Sequence, residues 1–410
     1  MSSAENAKMA RSWITIFIML TVCNAFSFIP SMAYVPLIPA IKNAIAMNFT
    51  QLGLFSGMAG VIAIVVSIPA GMLIKRFGEK KVYIGGTALI VIGLVILAIS
   101  KDFVTALTGR GIWQIGLRCV VPAITAAIVI SVPDNRRGTI LGINSAVGMI
   151  GTVLAMNISA SMSQTLGWRA SILFFCGLVV IGGIILSLFY KRRPAIDGKP
   201  ETNKNASIDL HKTRSIYAMP SFWLLCLLVL FACEEGLVDN FAVLQMKEVW
   251  ATGAVQFSKI VSIGMMLAVI VNLIAGWSGD KFGQWNMLIL AGILNTCVGL
   301  CLIIGGMYGS MSIYIVGILI AKALQLTVIL LVNSMAAMFN EGNVGPVIAI
   351  IAFGSGLGQY IGPQVLGILR DVTKAYTAGW VYMAMCGAIS LFIAIGFKMY
   401  YQKNAKTLSA

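Results

Sequence analysis

The chain has 410 residues, of which 59% are hydrophobic and 10% are charged. A soluble protein carries about 25% charged residues, so this composition excludes an ordinary water-soluble domain and indicates a lipid-embedded one. The net charge of +15 does not indicate a nucleic-acid partner, because the basic residues lie in short segments between apolar runs and no nucleic-acid motif accompanies them.

Twelve apolar runs follow one another along the chain, each long enough to cross a bilayer as a helix. Helices are expected because a membrane β-strand would alternate in polarity with a period of two residues. The polar linker at 191–220 divides the runs six and six, which predicts an N-terminal bundle at 1–190 and a C-terminal bundle at 221–410. The predicted fold is an all-α membrane protein with twelve transmembrane helices, at 12–34, 52–74, 82–100, 105–131, 138–160, 170–190, 221–244, 260–278, 287–306, 312–335, 345–369 and 379–400.

The distribution of lysine and arginine predicts the orientation of these helices. With the N-terminus inside, the cytoplasmic segments hold 19 of the 29 basic residues and the outer segments hold seven. This bias satisfies the positive-inside rule, so we expect a cell (cytoplasmic) membrane protein with both termini in the cytoplasm. The lipid bilayer is then its main environment, and we expect it to be a monomer.

The two halves share a repeated segment. The sequence QLGLFSGMAGVIAIVVSIPAGMLIKRFG at 51–78 aligns with QFSKIVSIGMMLAVIVNLIAGWSGDKFG at 256–283, an offset of 205 residues. Both segments end in the pattern A-G-x-x-x-x-[KR]-F-G. Because many transporters are built from six-helix repeats around a site near the membrane midplane, the repeat predicts two pseudo-symmetric bundles.

The end of the first copy, GMLIKRFGEK at 71–80, resembles the signature G-x-x-x-D-R-x-G-R-[RK] of the major facilitator superfamily. Lys75 replaces the aspartate of that signature, whereas the second copy keeps it as Asp280. The resemblance covers essentially the whole chain and implies an alternating-access transporter, which is not an enzyme. It also implies gating loops that latch the two halves in one state through Gly71, Arg76, Gly78, Gly276, Asp280, Lys281 and Gly283.

Three further segments bear on the kind of transporter. The sequence GRGIWQIG at 109–116 is similar to the R-x-x-Q-G-x-G pattern of the superfamily, whose arginine takes part in coupling in proton-coupled members; this makes Arg110 a candidate. The G-P-x-x-G ending that drug/proton antiporters carry in their fifth helix is absent from 138–160. GILRD at 367–371 resembles the end of helix eleven in anion and monocarboxylate permeases.

Six ionisable side chains fall well inside the predicted helices. Each costs about 2.5–3.5 kcal/mol at the bilayer centre, so we expect them to face the protein interior or a water-filled cavity. They lie on the fourth, seventh and tenth helices, which line the central cavity in the superfamily that the chain resembles. The six residues are Arg110, Arg118, Glu234, Glu235, Asp239 and Lys322. Three are basic and three are acidic, so their charges sum to zero.

These residues predict a solute site linked to a proton site. Arginine offers a planar fork and lysine a point charge, so we expect Arg118 and Lys322 to hold a small organic anion such as a carboxylate. A buried acid whose pKa responds to those cations carries the coupled proton. The predicted solute-binding residues are Arg118, Lys322, Gln114, Gln325, Asn24 and Tyr34, and the predicted proton-coupling residues are Glu234, Glu235, Asp239 and Arg110.

Other interpretations stay open. Arg110 also fits a structural brace, and Asp239 also fits a hydrated position near the outer interface. Glu234 and Glu235 point about 100° apart on a helix, so only one is expected to face the cavity. The alternative functions are efflux of a cationic or amphipathic compound and a non-transporting membrane sensor.

No cofactor and no metal are expected. The single histidine, His211, lies in the polar linker, and the eight cysteines are scattered without a C-x-x-C pair. A zinc site and a serine–histidine triad are therefore disfavoured. The expected partners are a small anionic solute and a proton.

Overall fold

The computed structural model of the chain describes residues 3–132, 136–190, 220–232, 237–325, 327–332 and 344–408, and the regular structure in these ranges is helical. Within them, ten helices are long and apolar enough to cross a membrane. Large apolar side chains such as Leu273 and Phe392 are about 70% exposed, as expected where lipid rather than water is the solvent. The predicted all-α membrane fold is confirmed.

The described helices follow the predicted runs, and we number them accordingly. Two of them are described in parts: the seventh is described again at Val238–Ala242 and Val243–Trp250, and the tenth, after a turn at Leu324 and Gln325, is described again at 327–332. The helices are α1 Ser3–Phe28, α2 Phe49–Phe77, α3 Glu79–Ile99, α4 Phe103–Ser131, α5 Arg137–Thr165, α6 Gly167–Phe189, α7 Pro220–Ala232, α8 Ala254–Phe282, α9 Gln284–Met307, α10 Met311–Ala323, α11 Val344–Thr373 and α12 Thr377–Leu408.

The first span does not stop at residue 34, so that predicted boundary is wrong. After α1 the chain stays helical to residue 44, in short pieces at Pro30–Ala33, Val35–Leu37 and Ile38–Ala44. Each piece has a proline at its first or second position. Proline lacks an amide hydrogen and has a fixed φ, so it suits the first turn of a helix and here divides the span into segments.

Contacts between residues divide the chain into two compact units. The first contains Met1–Ala46 and Val65–Lys204, and the second contains Met47–Ile64 and Asn205–Ala410. The N-terminal half of α2 therefore packs with second-unit helices. The predicted boundary at 191–220 stays a prediction, because all of that linker except Pro220 lies outside the described residues.

In the first unit, α3 and α4 meet along a seam of glycines. Gly86 and Gly93 on α3 face Gly116 and Gly109 on α4, so a seven-residue spacing on one helix matches the same spacing on its antiparallel neighbour. A methyl group added to Gly93 would collide with the backbone nitrogen of Trp113. Lipid tails are as apolar as leucine, so helices in a membrane associate through such close backbone packing.

The second unit uses the same kind of seam twice. On α9, a methyl group added to Gly299 would lie 2.6 Å from the Cα of Ala384 on α12. In the N-terminal half of α2, Gly53 and Gly60 face the backbone of α11 closely enough that a methyl group at either would collide with it. Small residues therefore set the helix spacing in both units.

A carboxylate of α11 caps the start of α2 within the second unit. Asp371 accepts hydrogen bonds from Phe49 N at 3.2 Å, Thr50 N at 2.7 Å and Thr50 Oγ1 at 2.6 Å. These amides belong to the first turn of a helix, which has no partners of its own for them and favours a negative charge. Nearby, Arg370 pairs with Glu248 at 3.2 Å and lies over the Phe49 ring. The cap and this pair fix the first turn of α2.

The α3–α4 seam predicts different outcomes for two adjacent glycines. Gly86→Leu should lower the free energy of unfolding by about 1–3 kcal/mol, because a larger side chain is forced into the seam. Gly85→Leu should have little effect, since a methyl group at Gly85 meets nothing within 4 Å. Thermal unfolding of the purified variants in detergent measures both, and equal midpoints would contradict the seam.

The Asp371 cap predicts a pH-dependent contribution to stability. Partial burial raises the pKa of the Asp371 carboxyl, but the hydrogen bonds from Thr50 and Phe49 and the charge of Lys374 outweigh it, so the pKa is lowered. A lowered carboxyl pKa contributes stability above the ordinary value of about 3.9 and loses it as the pH falls through the lowered pKa. The thermal midpoint of Asp371→Asn should therefore lie below that of the natural chain at pH 7 and approach it near pH 3.

The matched control for this prediction is Asp280→Asn, which removes an exposed acid. It should show no such convergence. If the thermal midpoints of Asp371→Asn and the natural chain differ by the same amount at pH 7 and at pH 3, the charge of the cap does not contribute to stability.

Candidate functional site

The candidate site is built around an ion pair inside the second unit. The Lys322 Nζ atom lies 2.6 Å from Asp239 Oδ1, and the side chains are 2% and 7% exposed. Pairing reduces the cost of burying each charge, which would otherwise be several kcal/mol. The hydrated position considered for Asp239 is therefore wrong. The predicted solute-binding lysine and one predicted proton-coupling acid form a single pair.

Both helices that carry the pair are irregular where the pair forms. Asp239 lies in the π-helical segment Val238–Ala242 of α7. Lys322 lies one residue before the end of the first part of α10, where Leu324 and Gln325 form a turn before the helix resumes at Thr327. π-helical turns and interrupted membrane helices are frequent at functional sites, because they release backbone groups and redirect side chains.

Helix α8 packs against α10 on both sides of this break. A methyl group added to Gly264 would lie 2.5 Å from the Cβ atom of Lys322. Further along α8, Asn272 Nδ2 donates to the backbone oxygen of Gln325 at 3.2 Å, and Asn272 Oδ1 accepts from Thr327 Oγ1 at 2.7 Å. The buried Gln325, a predicted solute ligand, therefore lies at the break close to the pair, whereas Asn272 was not predicted.

Arg110 lies in an aromatic stack in the first unit. Its guanidinium carbon is 4.0 Å from the centre of the Tyr34 ring and 4.3 Å from that of Trp113, and the side chain is 2% exposed. The two rings meet edge to face. Cation–π contacts of this kind stabilise a desolvated cation by about 2 kcal/mol. The geometry favours the bracing role of Arg110 and a packing role for Tyr34.

The other predicted ligands of the first unit lie on α1 and α4. Gln114 is buried on α4, and Arg118, one turn further on, is half-buried. Asn24 on α1 donates from Nδ2 to Oδ1 of Asn144 on α5 at 3.3 Å, so the structure adds Asn144 to the polar groups of this unit. Glu234 and Glu235 lie outside the described residues.

The two repeated loops have the same backbone turn. Gly78 and Gly283 both have positive φ, 83° and 87°, and each precedes the first residue of a helix. This conformation suits glycine, which explains why both copies of the signature carry it. Arg76 lies over the Phe77 ring and Lys281 over the Trp277 ring.

Each loop is also tied to the last helix of its own unit. Lys80 Nζ donates to the backbone oxygen of Tyr190 at 2.7 Å, and the buried Glu79 accepts from the Tyr190 hydroxyl. In the second unit, Lys398 Nζ donates to Asn286 Oδ1 at 2.7 Å. The equivalent ties support the predicted pseudo-symmetry, and the latch role of the loops stays a prediction.

Apolar helices of membrane-spanning length and a buried ion pair at two helix irregularities are features that membrane transporters share. The comparisons with known proteins agree with this class. The chain belongs to the Major Facilitator Superfamily, whose family model matches residues 20–363. Members of this family carry small solutes across membranes by alternating access.

Known relatives match nearly the full length of this chain at low sequence identity. The chain is 21% identical to Multidrug resistance protein 1 of Bacillus subtilis (strain 168), over 94% of this chain and 97% of that protein. It is 20% identical to the "Probable nitrate transporter NarT" of Staphylococcus aureus (strain JH9), over 91% of this chain and 92% of that protein. At this identity the names do not decide the solute.

Solved structures show the same fold. The nucleoside transporter NupG matches with a TM-score of 0.77 at 11% identity and covers 94% of this chain and 98% of NupG. A D-xylose–proton symporter matches with a TM-score of 0.75 at 15% identity and covers 93% and 97%. The two-bundle architecture expected from the sequence is thereby confirmed as the fold of this chain.

Proposed function

We propose that the chain carries a small anion, such as an organic carboxylate, together with a proton. The observation that supports this proposal is the buried Asp239–Lys322 pair, which lies where α7 and α10 both depart from regular helix. We further propose that the protein is a monomer in the cytoplasmic membrane, with both termini inside.

A structural role explains this pair less well than a functional one. A buried ion pair is weak evidence for stability, because well-packed apolar residues in its place are often neutral or stabilising. Regular packing also has no need of a π-helical turn on one partner helix and a break on the other. A site that exchanges charged partners requires a desolvated cation with a neighbouring acid, which is the arrangement at Lys322.

Partner exchange at Lys322 gives a coupling mechanism whose charges balance. An incoming carboxylate takes the place of Asp239 beside the Lys322 ammonium. In the proposed exchange, the released Asp239 carboxylate no longer faces the Lys322 ammonium, and it takes up one proton in its place. One negative charge and one proton enter together, so the net charge of the site stays constant, and release of the anion reverses both steps.

The first unit also carries residues predicted to bind solute. Arg118 is a half-buried cation on α4, and its planar guanidinium suits a carboxylate or nitrate group. Gln114 on α4 and Asn24 on α1 are uncharged hydrogen-bonding groups of the same unit. We propose that these groups take part in solute binding, with Glu234 or Glu235 as an additional proton site.

The proposal is tested by transport in proteoliposomes with probes of both signs. Radiolabelled L-lactate, succinate and nitrate serve as anion probes, and ethidium serves as the cationic probe. We expect uptake of at least one anion driven by an inward proton gradient, and a loss of about tenfold or more in Lys322→Gln, since one charge-assisted contact corresponds to roughly that factor in affinity. Asp239→Asn should retain anion exchange but lose proton-driven accumulation.

Two controls separate transport from folding. Lys259→Gln removes an exposed lysine of α8 and should leave transport unchanged. The double variant Lys322→Met with Asp239→Leu leaves no unpaired buried charge, so it should fold and yet not transport the anions. Transport of ethidium without any anion, or full anion uptake by the double variant, would contradict the proposed function.

A further inference from the structure

One amide side chain in the apolar middle of α8 bridges the break in α10. Asn272 Nδ2 donates to the backbone oxygen of Gln325, and Asn272 Oδ1 accepts from the hydroxyl of Thr327. Gln325 lies in the turn, and Thr327 is where the helix resumes. The two bonds of this single side chain therefore join the turn and the second part of α10 to α8.

These two hydrogen bonds give partners to polar groups at a break in a membrane helix. A backbone group without a hydrogen-bond partner in the hydrocarbon region costs several kcal/mol, and an interrupted helix frees such groups. Asparagine presents a donor and an acceptor on one short side chain, so it can bond to a carbonyl and a hydroxyl at once. An apolar residue at position 272 can form neither bond.

The same helix also sets the position of Lys322. Gly264 lies against the Cβ and Cγ atoms of Lys322, close enough that only glycine fits there. Gly264 and Asn272 are eight residues apart, or about 12 Å along a helix. Helix α8 thus contacts α10 before the break at Lys322, within the break at Gln325 and after it at Thr327.

We propose that Asn272 is a positioning residue for transport: by holding the α10 break against α8, it fixes the Lys322 ammonium for exchange between Asp239 and the solute anion. Asn272 itself need not touch the solute. This inference rests on the proposed role of Lys322 and adds a residue to which neither charge nor the family signatures drew attention.

The test is a double-mutant cycle between Asn272 and Lys322 in proteoliposomes. The probe is whichever of L-lactate, succinate and nitrate the natural chain takes up fastest. Asn272→Ala should raise the KM for that anion about tenfold with the maximal rate changed by less than about threefold, the signature of weakened binding rather than lost protein. In the Lys322→Gln background, Asn272→Ala should have no further effect on KM, because its role acts through the lysine.

A conservative variant and a matched control accompany the cycle. Asn272→Ser keeps a donor and an acceptor and should recover part of the affinity. Asn295→Ala removes a half-buried asparagine of α9 and should leave KM unchanged. If Asn272→Ala does not fold, Thr327→Val removes one of the two bonds and should raise KM to a smaller extent.

The outcomes separate this inference from the proposed function. Suppose that Lys322→Gln raises the KM and that Asn272→Ala raises it further, by its full factor, in the Lys322→Gln background. Asn272 would then act independently of the lysine, and this result would overturn the inference alone. An unchanged KM in Asn272→Ala and Thr327→Val would do the same. An unchanged KM in Lys322→Gln would overturn the proposed role of the lysine and the inference with it.

Discussion

The ammonium of Lys322 and the carboxylate of Asp239 lie 2.6 Å apart within a bundle whose outer surface is apolar, and this pair constrains the structure around it. Neither charge is stable there alone, because a single unpaired ion in such surroundings costs several kcal/mol. Helix α7 widens into a π-helical turn at the acid, α10 breaks just after the lysine, and α8 provides a glycine beside the lysine and an asparagine across the break. The proposed coupling starts from the same pair: an anion displaces the acid from the lysine, and a proton then replaces the lysine as the partner of the acid.

Glycine packing and side-chain hydrogen bonding stabilise different parts of this molecule. Glycine seams such as that of Gly86 and Gly93 on α3 bring backbones together over long regular stretches and determine how the helices pack. Three polar side chains act where regular packing ends: Asp371 at the first turn of α2, Asn272 at the break of α10, and Lys80 at the repeated loop. The regular stretches give each unit its framework, and the polar contacts stabilise the places where the backbone departs from it.

Much of the fold could be predicted from the sequence, because hydropathy reports directly on the solvent that a segment requires. The positions of most spans and the repeated loop with Gly78 and Gly283 follow from composition and spacing. The same reasoning placed Lys322 and Asp239 among the charges expected in the protein interior, but it did not predict that the two form a pair. The irregularities of α7 and α10 could not be predicted in this way. Residues 238–242 and 323–327 contain neither proline nor glycine, so nothing local marks the π-helical turn or the break, which depend on contacts between distant segments. The stack of Tyr34 on Arg110 likewise joins residues far apart in sequence, and Asn272 is a lone uncharged amide that a search for charges passes over.

The central claim is that a solute anion replaces Asp239 beside Lys322 and leaves the acid protonated. Infrared difference spectroscopy of the purified protein, recorded on addition of L-lactate, succinate or nitrate at constant pH, observes this step directly. The account predicts that at least one of these anions produces the carbonyl band of a newly protonated carboxylic acid, and that Asp239→Asn abolishes the band. A band that persists in Asp239→Asn, or anion binding that produces no protonated carboxyl in the natural chain, would contradict it.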